Sequence, residues 1–324
     1  RVIGEGGMGL VYEARHVGIQ KRFAVKVLAD ELVGQPIQVE RFIREAKTAS
    51  RIENEHIVEI SDFGVTPTGS VFFAMEYLDG EDLGQTIRRE GAMPWPRVRH
   101  IMQQICAALA AAHAQGVVHR DMKPQNCFRM SGRVDPDFIK VFDFGIAKLL
   151  GEDHKQGAKL TRTGQIFGTP EYMSPEQVKG AEADSRMDIY AAGIILFELL
   201  TGRTPFEGGA PLEVLSRHLA EPVPEVSGLR KNLNTPKEVS AVVAKSLAKD
   251  VAARYQTAQE FAAAITAVPF VERRGHTQIS PSLRKRPRAE TPLGQRQLFL
   301  AILITAAAIM LVLATAWAVG KLGG

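Results

Sequence analysis

Apolar positions near the start of the chain recur with the period of a strand. Residues 10–15 alternate, 23–28 read as a second strand, and 57–60 and 70–77 suit a hairpin around Thr66-Pro67-Thr68-Gly69. One helix interrupts them: residues 39–51 place Phe42 and Ala46 on a common face with Glu45 close beside it. Farther on the spacing becomes helical, over residues 96–115, 188–201, 212–219, 236–247 and 258–267, and Gly116 and Gly202 punctuate the C-terminal ends of the first two. The pattern predicts an α+β fold, a small sheet-rich lobe on a larger helical one, with a functional cleft between them.

The last apolar stretch obeys neither period. Residues 298–319 form an uncharged run of 22 residues, ~33 Å long as a helix against a hydrocarbon layer of ~30 Å. Apolar on every face, it predicts a single transmembrane helix rather than a buried soluble one, and its position excludes a signal peptide. Between it and the helical lobe lie seven basic and two acidic side chains, against Lys321 alone beyond the span. This asymmetry predicts a cytoplasmic N-terminal domain and residues 320–324 outside. Pro281, Pro287 and Pro292 mark residues 268–297 as a linker.

Charge and composition sharpen this division. The chain has 324 residues and a net charge of +4, yet the linker and Lys321 carry so much positive charge that residues 1–267 hold −2. The basic segment therefore reads as a contact for anionic lipid, and no nucleic-acid partner is expected. Arg284-Lys285-Arg286-Pro287-Arg288 beside a membrane span is not taken as a nuclear-type signal. The two cysteines, Cys106 and Cys127, lie in apolar runs far apart and predict buried thiols in a reducing compartment, with no zinc spacing.

Candidate chemistry concentrates in His119-Arg120-Asp121-Met122-Lys123-Pro124-Gln125-Asn126, followed seventeen residues later by Asp143-Phe144-Gly145. Two acids, an amide and a lysine can gather a hydroxyl, metal ions and a phosphate. Upstream, Ile3-Gly4-Glu5-Gly6-Gly7-Met8-Gly9-Leu10-Val11 has glycines that let a backbone close over phosphates. A dinucleotide fingerprint would lead into a helix; here strands follow, which favours a hairpin lid. Lys26 sits among apolar strand residues where an unpaired ammonium is costly, and Glu45 is the candidate partner.

With these motifs in order, together with Ser174-Pro175-Glu176, Asp188 and Arg254, residues 1 to about 267 resemble a eukaryotic-type Ser/Thr protein kinase, most like the membrane-anchored kinases of bacteria. The resemblance implies a two-lobed kinase fold with an N-lobe at 1–75, a hinge at 76–78 and a C-lobe at 79–267. It implies ATP and Mg²⁺, with Mn²⁺ as a substitute, and protein substrates bearing Ser or Thr. Asp121 would orient the substrate hydroxyl, Lys123 would neutralise the moving phosphate, and Asn126 and Asp143 would hold the metal. The nucleotide would meet Ile3, Gly4, Glu5, Gly6, Gly7, Met8, Gly9, Val11, Ala24, Lys26, Glu45, Met75, Glu76 and Leu78. Thr161 and Thr163 are the expected activation-loop phosphosites, answered by Arg120, while Thr169 would help select Ser/Thr substrates. His119, Glu176, Asp188 and Arg254 would be structural supports.

Departures from the family pattern are small. Ser174 replaces a usual alanine, Met122 a usual leucine, and residues 131–137 form an enlarged surface turn. The chain opens at Arg1 with no methionine, so a clipped first strand is expected. A nucleotide-binding pseudokinase scaffold and a nonenzymatic membrane adaptor are the competing readings. Retention of Lys26, Glu45, Asp121, Asn126 and Asp143 weighs against the first, and an adaptor would have no need of a kinase fold. The family also makes a homodimer a candidate assembly, and the small residues at 305–308 would allow close helix packing.

Overall fold

A computed structural model describes residues 1–6, 8–144, 169–226 and 235–269; the side chain of Glu45 lies outside the described set. Residues Arg1–Glu272 form one compact unit. Its N-terminal lobe is a five-stranded antiparallel sheet in the order β1-β2-β3-β5-β4, built from β1 (Val2–Gly6), β2 (Gly9–Arg15), β3 (Arg22–Leu28), β4 (Ile60–Val65) and β5 (Val71–Glu76). Between β3 and β4 come the short α1 (Asp30–Val33) and the longer α2 (Pro36–Ala49). Pro36 occupies the first turn of α2, where its missing N–H is harmless. Phe42 and Ala46 bury the inner face of α2 against Leu28, Val71 and Phe73, the Phe42 and Phe73 rings 5.0 Å apart.

Past β5, β6 (Gly80–Asp82) begins a second sheet in the order β6-β7-β8, with β7 (Cys127–Met130) and β8 (Ile139–Val141). Helices then dominate: α3 (Leu83–Glu90), α4 (Trp95–Ala114), α5 (Pro175–Val178), α6 (Arg186–Thr201), α7 (Pro211–Ala220), α8 (Glu238–Ser246) and α9 (Ala258–Ala267). Nearly every side chain of α6 is buried, so it is the axle of the larger core rather than an amphipathic cover. Gly193 lets it approach α8: an added Cβ would stand 2.4 Å from Ser246 Oγ. Gly202, at φ 77°, closes α6 in the left-handed conformation.

The helices expected from periodicity are present within two residues of their bounds, except that α2 begins at Pro36, three residues before the expected start. The strand expected over 57–60 is corrected to Ile60–Val65. Ile57 and Val58 are buried, but their backbone turns to the second sheet: Ile57 bridges Val141, and Val58 N donates to Val141 O at 3.0 Å. The true β4 is an edge strand, mostly exposed, so its alternation is faint. Short elements beyond the expected set are α1, α3 (capped by Asp82), the β6-β7-β8 sheet and α5. The 131–137 turn is largely exposed as expected, yet its end is fixed by Arg97, whose guanidinium donates twice to Asp137 at 2.8 Å.

Among the described residues no helix is long and apolar enough to cross a membrane. The 298–319 run, the basic linker beyond residue 269, and Thr161 and Thr163 lie outside the described residues, as does Gly7.

Candidate active site

The segment linking α4 to β7 is shaped by a buried acid from α6. Asp188 accepts from His119 N at 2.7 Å and Arg120 N at 2.8 Å, while His113 Nε2 lies 2.8 Å away. These bonds hold Arg120 at φ 66°, a conformation that costs a side-chain-bearing residue about 1–2 kcal/mol. A second restraint comes from α5, where Gln177 Nε2 donates to Arg120 O at 2.9 Å. Ser174 explains itself here. It caps α5 reciprocally with Gln177, something alanine could not do.

His119 is scaffold, as expected. Its ring is fully buried 4.7 Å from Phe144, and burial pulls its pKa below the ordinary value, which keeps it neutral. Nδ1 faces Asp121 N at 3.3 Å and Nε2 faces Phe142 O at 3.0 Å. A neutral ring protonated on Nε2 satisfies both. His119 thereby spans the Asp121 loop and the strand end that delivers Asp143.

Around it the candidate catalytic groups converge. Lys123 Nζ donates to Asp121 Oδ2 at 2.9 Å, and Asn126 Nδ2 donates to Asp121 O at 2.7 Å. With its nitrogen so committed, Asn126 has its carbonyl oxygen to offer a cation. Asp143 stands at φ 59° and receives Lys26 Nζ at 2.6 Å. Lys26 is 9% exposed and Asp143 47%, so a buried ammonium meets an acid that reaches solvent. Among the described residues no three His, Cys, Asp or Glu side chains converge as a metal cage. One amide and one carboxylate oxygen suit a hard cation such as Mg²⁺, which completes its shell with water and phosphate oxygens.

Beside this group a cavity of about 260 Å³ opens between the lobes. Ile3, Gly4, Glu5, Gly6, Val11 and Ala24 line it from the small lobe, with Lys26 deeper, and Met75, Glu76 and Leu78 line its rear edge. Two expected contacts do not. Met8 packs onto the small core with Leu28 and Phe42, and Gly9 is pressed against β3, where an added Cβ would stand 1.9 Å from Val27 O. The close approach of the two strands there requires a glycine. Glu76 also closes β5 instead of starting a free hinge.

The residues missed are apolar. Phe128 and Phe142 line the large-lobe side, their rings 6.4 Å apart and edge-on. Each lies next to or near a metal-ligand candidate, Phe128 two after Asn126 and Phe142 just before Asp143, and that adjacency was the available signal. Thr169 shares a smaller cavity with Asp121 and Lys123. Arg120 is half-buried, burial lowers its pKa, and its Nε has no hydrogen-bond partner among the described residues. Glu176 and Arg254 meet through two parallel bonds of 2.6 and 2.7 Å.

A family model described as the protein kinase domain matches residues 1–270. The chain belongs to the protein kinase family. Among curated kinases, serine/threonine-protein kinase Pkn3 of Myxococcus xanthus is 42% identical over 273 residues, covering 84% of this chain and 50% of that protein. PknH of Mycobacterium tuberculosis is 40% identical over 264 residues, covering 82% of this chain and 40% of its own length. The chain thus spans half the length or less of these kinases. The PknI kinase domain of M. tuberculosis superposes with a TM-score of 0.61 at 30% identity, over 82% of this chain and 93% of that one. A Rad53 kinase structure in complex with AMP-PNP superposes at 0.65 and 25% identity, over 81% and 62%. The two-lobed kinase fold, in a family that uses ATP and Mg²⁺, accounts for both the cavity and the oxygen ligands at its mouth.

Proposed function

We propose that the chain is a membrane-anchored Ser/Thr protein kinase that transfers the γ-phosphate of ATP to protein hydroxyls. The observation that supports this best is the hydrogen-bonded set Asp121, Lys123 and Asn126 together with Asp143, which lines the interlobe cavity and is paired with Lys26. Asp121 orients the hydroxyl and takes its proton, Lys123 steadies the phosphate, and Lys26 faces the nucleotide phosphates. Asn126 and Asp143 would hold Mg²⁺, which would supply charge neutralisation at the phosphates. An active enzyme is favoured over a pseudokinase because every one of these groups is retained.

The finer parts of the reading come from sequence. Residues 298–319 anchor the chain and the basic 268–297 segment meets anionic lipid, with the kinase domain in the cytoplasm and the C-terminus outside. Phosphorylation of Thr161 or Thr163 gives Arg120 an anion, and a half-buried guanidinium with an unbonded Nε is suited to receive it. The test is the full chain in detergent with MgATP and a Ser/Thr protein substrate. Transfer abolished by Asp121→Asn and by Lys26→Met is the expected result; folded, ATP-binding protein without transfer would favour the scaffold. Phosphopeptide mapping of active protein that finds both threonines unmodified removes the activation model.

A further inference from the structure

The rear edge of the nucleotide cavity is held from behind by a cation of the opposite lobe. Glu76 ends β5 and lines the cavity. Its carboxylate accepts from Glu59 N at 2.9 Å and from the ammonium of Lys140. Lys140 lies at the centre of β8, 9% exposed, and its Nζ also donates to Ile57 O at 3.2 Å. An ammonium this deep on a strand is costly unless paired and hydrogen-bonded, and both conditions are met.

The surrounding backbone makes the contact a junction. Residues 56–59 lie between β8 and Glu76: Val141 N donates to His56 O at 2.7 Å, Val58 N to Val141 O at 3.0 Å, and Glu76 N to Glu59 O at 3.0 Å. Lys140 thus ties together three chain segments that share no covalent neighbour. Three residues after Lys140, just past the end of β8, comes Asp143. The strand therefore leads into a metal-ligand candidate just beyond its end and fixes the base-facing edge through Lys140. Arg22, on β3, clasps the other side of the connection, stacked 4.3 Å from the Tyr77 ring and 3.0 Å from Asp79, but that pair is 42% and 62% exposed. Exposed pairs contribute little. The buried cation is the stronger restraint.

We propose that Lys140 is a positioning residue for the nucleotide base, acting through Glu76. This rests on the nucleotide reading of the cavity. Without the ammonium, the Glu76 carboxylate turns toward water and carries the backbone of Glu76 to Leu78 out of register with a planar base. The phosphate end, held by Lys26 and Asp143, is unaffected.

Inhibition by adenosine and by inorganic tripolyphosphate, each competing with MgATP on the full chain, separates the two ends. Lys140→Met is expected to weaken adenosine by ~10-fold, about 1.4 kcal/mol, with the KM for MgATP rising more than kcat falls and tripolyphosphate changed less than twofold. Lys140→Arg restores most of the loss, and Arg22→Met changes adenosine binding less than twofold. Glu76→Gln shows the same selective loss in smaller measure and carries the test if Lys140→Met fails to fold. Unchanged adenosine affinity in both variants overturns the proposal, as does an equal loss of adenosine and tripolyphosphate. Wild-type protein that binds neither adenosine nor MgATP overturns the nucleotide reading itself.

Discussion

Breaking the Glu176 and Arg254 pair from either side should destabilise the large lobe unequally. Arg254 is almost wholly buried and its guanidinium serves more than the carboxylate: Nε donates to Ala248 O at 2.7 Å, Nη1 to Arg186 O at 3.2 Å and Nη2 to Lys249 O at 3.4 Å. Glu176→Ala leaves the cation with these three carbonyls, so the cost falls at the low end for a broken buried pair, ~3 kcal/mol. Arg254→Met strands the Glu176 carboxylate and deprives three carbonyls of a donor, which raises the cost to ~5 kcal/mol. For a domain of this size ~1 kcal/mol moves the midpoint by ~2–4 °C, so Glu176→Ala should melt ~6–12 °C lower. Urea unfolding of the two single variants and the double variant measures both the order and the coupling. Total activity should track the folded fraction, with activity per folded molecule unchanged. A larger cost for Glu176→Ala, or a coupling below ~1 kcal/mol, would refute the assignment of three extra acceptors to Arg254.

Other changes test other parts of the fold. Gly9→Ala should open the β2 and β3 ladder, read as faster hydrogen exchange at Val27 and Leu28, whereas Gly6→Ala, whose Cβ meets nothing nearer than 4.0 Å, should not. Ser174→Ala restores the residue usual in the family yet should lower stability by ~1 kcal/mol through loss of the α5 cap, measurable by urea unfolding. His218 is pushed down to about 4 by burial and then by Lys249, against an ordinary value near 6.5. The unfolded chain takes up that proton first as pH falls, so the stability is present above ~6.5 and lost toward pH 4, by ~3 kcal/mol in all. Thermal midpoints across that range should fall more steeply for the wild type than for His218→Gln.

Legibility in the sequence followed chemical type. Asp121, Lys123, Asn126 and Asp143 were readable because acids, amides and ammonium groups stand out within short segments; the structure bonds Lys123 and Asn126 to Asp121, and Asp143 to Lys26. Phe128 and Phe142 were not, since an aromatic residue in an apolar strand has no mark that separates lining a cavity from filling a core. Ile60–Val65 was misplaced because an edge strand exposed on both faces loses the alternation that identifies it. A glycine-rich spacing does not say whether a close approach is to a ligand or to the neighbouring strand, and at Gly9 the structure shows the strand.

The least legible property is strain. Arg120 and Asp143 are both held at positive φ, and each opens a segment bearing candidate chemistry. Neither restraint is local: Asp188 and Gln177 fix Arg120 from 68 and 57 residues away, and Lys26 meets Asp143 across 117. A strained residue persists only where the surroundings over-determine it, which here requires α5, α6 and β3 to be in place at once. His119 joins the two, touching Asp121 N on one side and Phe142 O on the other. The groups proposed for phosphoryl transfer are therefore ordered only when both lobes are folded and in contact. A single loosened support such as Asp188 should disturb Asp121 and, through His119, Asp143 together.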